Sequence, residues 1–258
     1  MRATRFLPIL LAVLVGCSSL FAAGFRLAAP ISDHMVLQRE KPVAVWGWAD
    51  ASETVTVAFA GQSKSATADA EGKWTLKLDA LAVSQEPRTL IASGDEGRKV
   101  EAKNVLVGEV WFASGQSNMQ WSLSQAYNGD IEALASAFPN LRIISVPQVG
   151  TQELKTDFKG KWEVANPANA KDFSAIGYLY GRYLYDILDV PVGLIDNAWG
   201  GSAAEAWIRR ERLEQDPRFA GLMENTRKTE AQKQSPEAVK EYEAALERHK
   251  AVAEKAKA

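Results

Sequence analysis

Residues 105–113, with the sequence VLVGEVWFA, form a nearly unbroken apolar run. A strand that is apolar on both sides is typical of a parallel sheet covered on both faces. Two further apolar runs, at 141–146 and 192–196, are predicted strands, and a tyrosine-rich segment at 178–188 between them is a predicted helix. Strands that alternate with helices predict an α/β layer architecture, which we assign to residues 104–210.

A different pattern precedes this region, between residues 25 and 103. Short β-type runs alternate there with turn-rich segments. Strands are expected at 43–48, 54–59, 74–78 and 89–92. Short strands separated at regular intervals by turn-rich segments predict a small β-sandwich. A linker to the α/β part is expected around residues 97–104.

Residues 211–258 are rich in charge and are predicted to be helical. Ser235 and Pro236 form a typical cap and first residue of a helix. One weak apolar stripe that ends at His249 follows at helical spacing, which favours a solvated helix over a coiled-coil arm or partner helix. The sequence ends without a helix cap, and we interpret this segment as a helical insertion within which the chain is truncated.

Residues 1–23 resemble an export signal. Two arginines precede an apolar run at 6–15, which is too short to span a bilayer. Cys17 follows Leu-Val-Gly, an arrangement similar to a bacterial lipobox, in which the thiol is lipidated. Ordinary signal cleavage near residue 22 is the alternative. In both cases we expect the mature protein to leave the cytoplasm, as a periplasmic, outer-membrane or secreted protein, with Cys17 as its only membrane anchor.

The charge balance excludes some partners. Thirty basic residues stand against 32 acidic ones, for a formal net charge of −2. A nucleic-acid-binding surface needs a basic excess, so no nucleic acid is expected as a partner. The sequence also shows no metal-ligand cluster, and no cofactor is expected.

Ser117 follows the first apolar run directly and precedes a segment at 118–138 that is a predicted helix. A serine there lies at the carboxyl edge of a sheet, where open α/β proteins bind ligands. The first turn of a helix leaves backbone N–H groups unpaired, and these suit a developing oxyanion. Gly115 allows a tight turn between strand and helix. Ser117 is therefore a candidate nucleophile.

A second glycine-bearing loop follows the strand at 192–196. It contains Gly200, Gly201 and Ser202 and precedes a helix-compatible stretch at 203–210. Two such loops at corresponding strand ends can face one crevice, where a glycine amide can stabilise an oxyanion. A phosphate-binding loop and a plain tight turn are the alternatives. No Walker lysine or GxGxxG spacing supports nucleotide binding.

Several motifs in order carry a family resemblance. GQSNM at 115–119, VPVGLI at 190–195 and WGGSAAEAW at 199–207 resemble the bacterial sialate O-acetylesterases of the SGNH (Ser-Gly-Asn-His) hydrolase superfamily. SDHMVLQR at 32–39 and PVAVWGW at 42–48 match the N-terminal β-region of the same family. The resemblance implies a flavodoxin-like three-layer sheet, incomplete in this chain, and hydrolysis of sugar acetyl esters through an acyl-serine intermediate.

The same resemblance implies roles for particular residues. Ser117 corresponds to the nucleophile and its own amide to an oxyanion donor. Gly201 is the expected second donor, with Gly200 as the alternative. Three neighbours of these glycines and of the serine are expected to contact substrate: Gln116, Asn118 and Trp199.

The family's base is missing from this sequence. Its Gln-Gly-Glu segment and its Asp-x-x-His block have no match, and neither His34 nor His249 lies in an Asp-x-x-His context. Asp33 and His34 are neighbours on an extended chain and point to opposite faces, so His34 is expected to be structural. Because serine is a weak nucleophile without a base, we expect the 258-residue chain to be nearly inactive.

Other functions remain open at this stage. A polysaccharide esterase of the acetyl-xylan type shares the GQSNM motif and differs in its sugar. A noncatalytic glycan-binding protein would use the β-region and its tryptophans as a platform. A structural or interaction module with a helical arm is the third possibility.

Overall fold

The computed structural model describes residues 24–151 and 153–255. The described residues form two compact units, with the boundary between Ala198 and Trp199. The predicted export segment 1–23, with Cys17, lies outside the described residues. Within the described ranges, no helix is long and apolar enough to cross a membrane.

The first unit begins with two antiparallel sheets. The smaller sheet contains β1 (Arg26–Leu27), β3 (Val43–Trp48) and β6 (Lys73–Leu78). The larger one contains β4 (Thr54–Phe59), β5 (Gln62–Thr67), β7 (Ser84–Ser93) and the first half of β8 (Lys99–Gly115), with β2 (Val36–Gln38) beside β8. Val45 and Trp74 from one sheet meet Val57 and Leu90 from the other in a single core. The predicted β-sandwich is confirmed.

Strand β8 connects the sandwich to the rest of the unit without a break. Its early residues pair antiparallel with β7, and residues 109–115 pair in parallel with a later strand. The predicted linker at 97–104 is therefore wrong. Val100 and Ala102 alternate with charged residues there and pack against the sandwich core, which is the pattern of a half-buried strand.

The second half of β8 belongs to a parallel sheet. Its other strands are β9 (Phe138–Ser145), β11 (Val192–Ala198) and, antiparallel at the edge, β10 (Glu163–Ala165), in the order β10-β9-β11-β8. Helix α4 (Ala175–Leu188) covers one face. Gly181 permits its close approach, because a Cβ there would lie 2.5 Å from the side chain of Leu194. On the opposite face, Ile144 and Trp162 join the sandwich core. The α/β fold predicted from sequence is confirmed.

The single helix predicted at 118–138 is wrong. The segment holds α1 (Ser117–Gln120), a 3-10 turn (Leu123–Gln125) and α2 (Gly129–Leu134). The first helix stops after one turn because Ser122 forms a capping box with Gln125 and begins a new turn. Asn128, with φ of 55°, bends the chain again before α2. A further short helix, α3 (Pro167–Ala170), precedes α4.

The second unit is helical. It holds a 3-10 turn (Ala204–Trp207), α5 (Arg210–Gln215), α6 (Ala220–Lys233) and α7 (Pro236–Lys255). The predicted start of the last helix is confirmed, since the Ala238 amide donates to Ser235 Oγ at 3.2 Å. The helix-compatible stretch at 203–210 holds only the 3-10 turn and the first residue of α5. His249 lies on α7 and is exposed.

Candidate active site

Ser117 begins α1 two residues after β8 ends. Gly115 closes the strand with φ of +139°, a conformation that a residue with a Cβ rarely adopts. The amides of Met119 and Gln120 both donate to the Gln116 carbonyl oxygen, at 2.9 and 3.0 Å. The N–H groups of Ser117 and Asn118 come before these first bonded amides and are not used inside the helix. An exposed hydroxyl thus lies next to two backbone donors.

The Ser117 hydroxyl has an amide as its neighbour. Its Oγ donates to Gln116 Oε1 at 3.2 Å, so Gln116, predicted to contact substrate, holds the serine in this structure. An amide oxygen accepts a hydrogen bond but does not remove a proton at neutral pH, so this contact orients the hydroxyl without activating it. Asn118 is exposed beside it, and its role as a substrate contact stays a prediction.

His34 is engaged elsewhere. Its Nδ1 contacts Asn104 Nδ2 at 2.8 Å and Arg142 Nη1 at 3.2 Å. Asp33 does not serve it, because Asp33 Oδ1 accepts from the Lys103 amide at 2.6 Å. Burial lowers the pKa of the Arg142 guanidinium. His34 therefore bridges the turn after β1 to β8 and β9, which agrees with a structural role. The extended backbone expected at Asp33 and His34 is wrong, because both lie in a turn and His34 has φ of 67°.

The start of α4 holds the serine loop in place. The Trp121 amide donates to the Ser117 carbonyl at 2.9 Å, and the Trp121 carbonyl accepts from the Ala175 amide at 2.8 Å. Ser174 Oγ contacts Met119 Sδ at 3.5 Å and accepts from the Gly177 amide at 3.0 Å. The one-turn helix is consequently fastened to a longer element at both its middle and its end.

Two residues near this loop were not predicted from the sequence to belong to the site. Trp121 follows α1 directly and is 52% exposed, although its backbone is fixed on both sides. A tryptophan two residues after GQSNM is the sequence feature that could have indicated it. Asp196 lies beside Ala113 on the neighbouring strand; burial raises the pKa of its carboxyl, opposed by a hydrogen bond from the Ala198 amide. A carboxylate at the end of a buried run could have drawn attention to it.

The carboxyl ends of β8 and β11 coincide, because Ala198 lies opposite Gly115. The second loop begins at the next residue, in the second unit. There the Ser202 amide donates to the Trp199 carbonyl at 3.2 Å, and Gly201 has φ of +78°, as a tight turn with glycine at its third position requires. The roles predicted for Trp199, Gly200 and Gly201 toward substrate and oxyanion stay predictions. Across the part of the chain that is described, no group of three or more His, Cys, Asp or Glu could hold a metal.

Comparison with known proteins tests the family resemblance. No protein-family model matches the chain. A sialate O-acetylesterase of Mus musculus is 34% identical over 224 residues, which cover 80% of this chain and 41% of that protein. The Homo sapiens protein of the same name is 34% identical over 202 residues, covering 71% and 39%. These similarities support an esterase family.

A solved structure also supports an esterase family. The crystal structure of a carbohydrate acetylesterase from Xanthomonas citri is similar with a TM-score of 0.69 and 38% identity, over 74% of this chain and 44% of that one. The match supports the α/β fold as well as the class of enzyme. The chain spans about two fifths of the length of the two sialate O-acetylesterases.

Proposed function

We propose that the chain forms part of a carbohydrate O-acetylesterase that acts on O-acetylated sialic acid with Ser117 as nucleophile. The observation that carries the proposal is the position of Ser117, which is exposed just after the carboxyl end of a parallel strand and beside two helix-start amides. The names of the relatives supply the ester class, and two of the proteins compared are sialate O-acetylesterases.

The proposed reaction begins at Ser117 and takes its other groups from the family resemblance. Ser117 Oγ attacks the acetyl carbonyl carbon while its proton passes to a base, and the carbonyl oxygen becomes an oxyanion. The Ser117 amide and the amide of Gly201, or alternatively Gly200, donate to that oxygen. The sugar hydroxyl leaves with a proton, and water then cleaves the acetyl-serine to release acetate.

The base comes from outside the 258 residues in this proposal. His34 is held by Asn104 and Arg142, and His249 is exposed on α7 of the second unit. An Asp-x-x-His block of the kind found in the family would supply a histidine and the carboxylate that orients it. Without them, the chain alone retains only the slow reaction supported by the oxyanion donors.

Export is part of the same proposal. Residues 1–23 carry the charge and length pattern of an export signal, and Cys17 is the site of a lipid anchor if the lipobox is used. The substrate in this proposal is an acetylated glycan outside the cytoplasm, and the near-neutral charge gives no support for a nucleic-acid partner.

The test uses an extended chain, defined as residues 24–258 fused to the part of the Xanthomonas citri acetylesterase that follows its matched region. Acetate release from O-acetylated sialic acid is measured for the extended chain and for the 258-residue chain. Activity in the first and little in the second is expected. Ser117→Ala should abolish it, whereas Ser124→Ala, an exposed serine on the following turn, should not. If the Ser117→Ala variant were as active as the unmodified extended chain, the assignment of Ser117 as the nucleophile would be refuted.

Acetyl-xylan serves as the competing substrate in the same assay. It is included because the Xanthomonas citri relative is named for carbohydrate rather than for sialic acid. Faster release from acetyl-xylan would move the proposal to a polysaccharide esterase. Glycan binding without acetate release in a folded extended chain would support the noncatalytic alternative.

A further inference from the structure

A cavity of about 740 Å³ lies in the first unit, next to the segment that follows β9. No residue of the Ser117 loop, 115–121, is among the described residues that line it. Most of its wall is apolar and contains two aromatic rings: Pro30, Trp46, Val146, Pro147, Val149 and Phe158. Both aromatic residues also pack against the sandwich core. A cavity of this size and lining is typical of a site for a small ligand.

Hydrogen bonds hold the wall of this cavity at two places. Directly after β9, the Val146 amide donates to the Asp196 carbonyl of β11 at 2.8 Å. Further along the segment, the Thr156 carbonyl accepts from Trp46 Nε1 of β3 at 2.9 Å. The chain itself therefore keeps the wall in place, which lowers the cost of ordering it when a ligand binds. The segment also begins at the carboxyl end of a strand, where open α/β sheets bind ligands.

The charged side chains at the cavity do not balance. Asp157, the one acid among the described lining residues, is already paired with Arg26. Lys155 pairs with Glu153 at 2.7 Å. Lys159 also lines the cavity and is exposed, and it forms no ion pair with a described residue. The cavity thus combines an apolar wall with one uncompensated ammonium group, which complements a ligand that has an apolar body and a single negative charge.

We propose that this cavity binds a carboxylate whose body is aromatic or branched aliphatic. The body packs on Trp46, Val149 and Phe158, and the carboxylate accepts hydrogen bonds from Lys159 Nζ. An apolar body is favoured over a free sugar, because the apolar wall would leave buried sugar hydroxyls without hydrogen-bond partners. This binding site goes beyond the proposed esterase function and does not depend on it.

An NMR titration of the 258-residue chain with 2-naphthoate tests the proposal without any catalysis. The indole N–H signal of Trp46, assigned from its loss in Trp46→Phe, should shift with a dissociation constant of about 1 mM or tighter. Lys159→Gln should weaken binding about threefold, as expected for an exposed ion pair. The control is Lys161→Gln, which changes an exposed lysine that pairs with Glu163 and does not line this cavity, and it should leave binding unchanged.

A neutral probe separates the charge of the ligand from its apolar body. 2-Naphthalenemethanol has the same ring system without the carboxylate, so the unmodified chain and Lys159→Gln should bind it equally. If Lys159→Gln weakened both probes to the same extent, the assignment of Lys159 to the carboxylate would be overturned.

A second pair of variants tests the apolar wall. Val149 is 67% exposed, so Val149→Glu leaves the core intact, and its negative charge should weaken 2-naphthoate binding at least about tenfold. Leu154→Glu is the matched control, because Leu154 is 74% exposed on the same segment and does not line the cavity. No shift of the Trp46 signal, or undiminished binding by Val149→Glu, would overturn the site. Tighter binding of N-acetylneuraminate than of 2-naphthoate would overturn the choice of an apolar body.

Discussion

The two halves of β8 differ sharply although they form one strand. The first half lies between β7 and β2 and contains the fully buried residues Val105 and Leu106. The second half pairs on one side only and exposes Trp111 and Phe112. The first half has a paired strand on each side and lies in the sandwich core. The second half, which leads to Ser117, pairs with β11 alone among the described strands. Stability and chemistry are therefore expected to depend on different halves of the same strand.

The largest stability effect should come from the enclosed half. Leu106 is fully buried where β8 pairs with β2. Leu106→Ala should lower the free energy of unfolding by about 2–5 kcal/mol, because the lost contacts leave a cavity. Urea unfolding followed by circular dichroism measures it. A loss below that of Phe112→Ala would contradict the contrast between the halves.

A smaller loss of stability is expected from a substitution at Gly193, where β11 contacts β2. A Cβ on Gly193 would lie 2.9 Å from Val36 Cβ and 3.2 Å from the Trp162 ring. Gly193→Ala should therefore cost about 1–3 kcal/mol through overpacking. Thermal unfolding gives the measurement, with Gly221→Ala, where a Cβ meets nothing within 4 Å, as the control.

Asp196, on the strand next to the second half of β8, is expected to make the stability of the fold depend on pH. Burial raises its folded pKa, so the folded state holds the proton more tightly than the unfolded state. Stability is therefore expected to fall as pH rises from the unfolded value of about 3.9 through the raised folded value, and then to level off. Asp196→Asn keeps an acceptor for the Ala198 amide and removes this fall.

The free energy of unfolding of the Asn variant should therefore rise relative to that of the unmodified chain as pH rises. Unfolding curves collected from pH 4 to 8 show the difference between the two proteins. A gain that shrinks with rising pH would reverse the sign and refute the assignment to Asp196.

The smallest change in stability is expected at Phe112, in the second half of β8. Phe112→Ala removes a side chain that is largely in solvent, and it should change the stability of the 258-residue chain by no more than about 0.5 kcal/mol. The same substitution in the extended chain should cost several times more, because the ring would then be covered. Equal costs in the two proteins would argue that nothing covers this side chain.

Much of this fold could be predicted from local patterns. The runs at 105–113 and 192–196 indicate strands, and Ser235 before Pro236 indicates the start of α7, because apolar runs and helix caps leave direct marks on sequence. The burial expected along the whole first run is wrong for its second part, since Trp111 and Phe112 are exposed. β5 was missed because its residues are polar and alternate only between half-buried and exposed. Its position is set by pairing with β4, which no local pattern shows.

The site was predictable in part for the same reason. Gly115 and Ser117 form a contiguous motif, and the positive φ of Gly115 agrees with the turn predicted for it. The contact between Gln116 and Ser117, and the anchoring of Trp121 by Ala175, depend on side-chain rotamers and on packing between distant segments. Such contacts have no periodicity from which they could be predicted.

The most direct test of the central claim is to trap the acyl-serine. The extended chain is incubated with p-nitrophenyl acetate, quenched in acid, digested and analysed by mass spectrometry. An acetyl group is expected on the peptide that contains Ser117; it should be absent from the Ser117→Ala variant and unchanged in the Ser124→Ala variant. Acetate release with the acetyl group on another residue, or unchanged release by Ser117→Ala, would contradict this expectation.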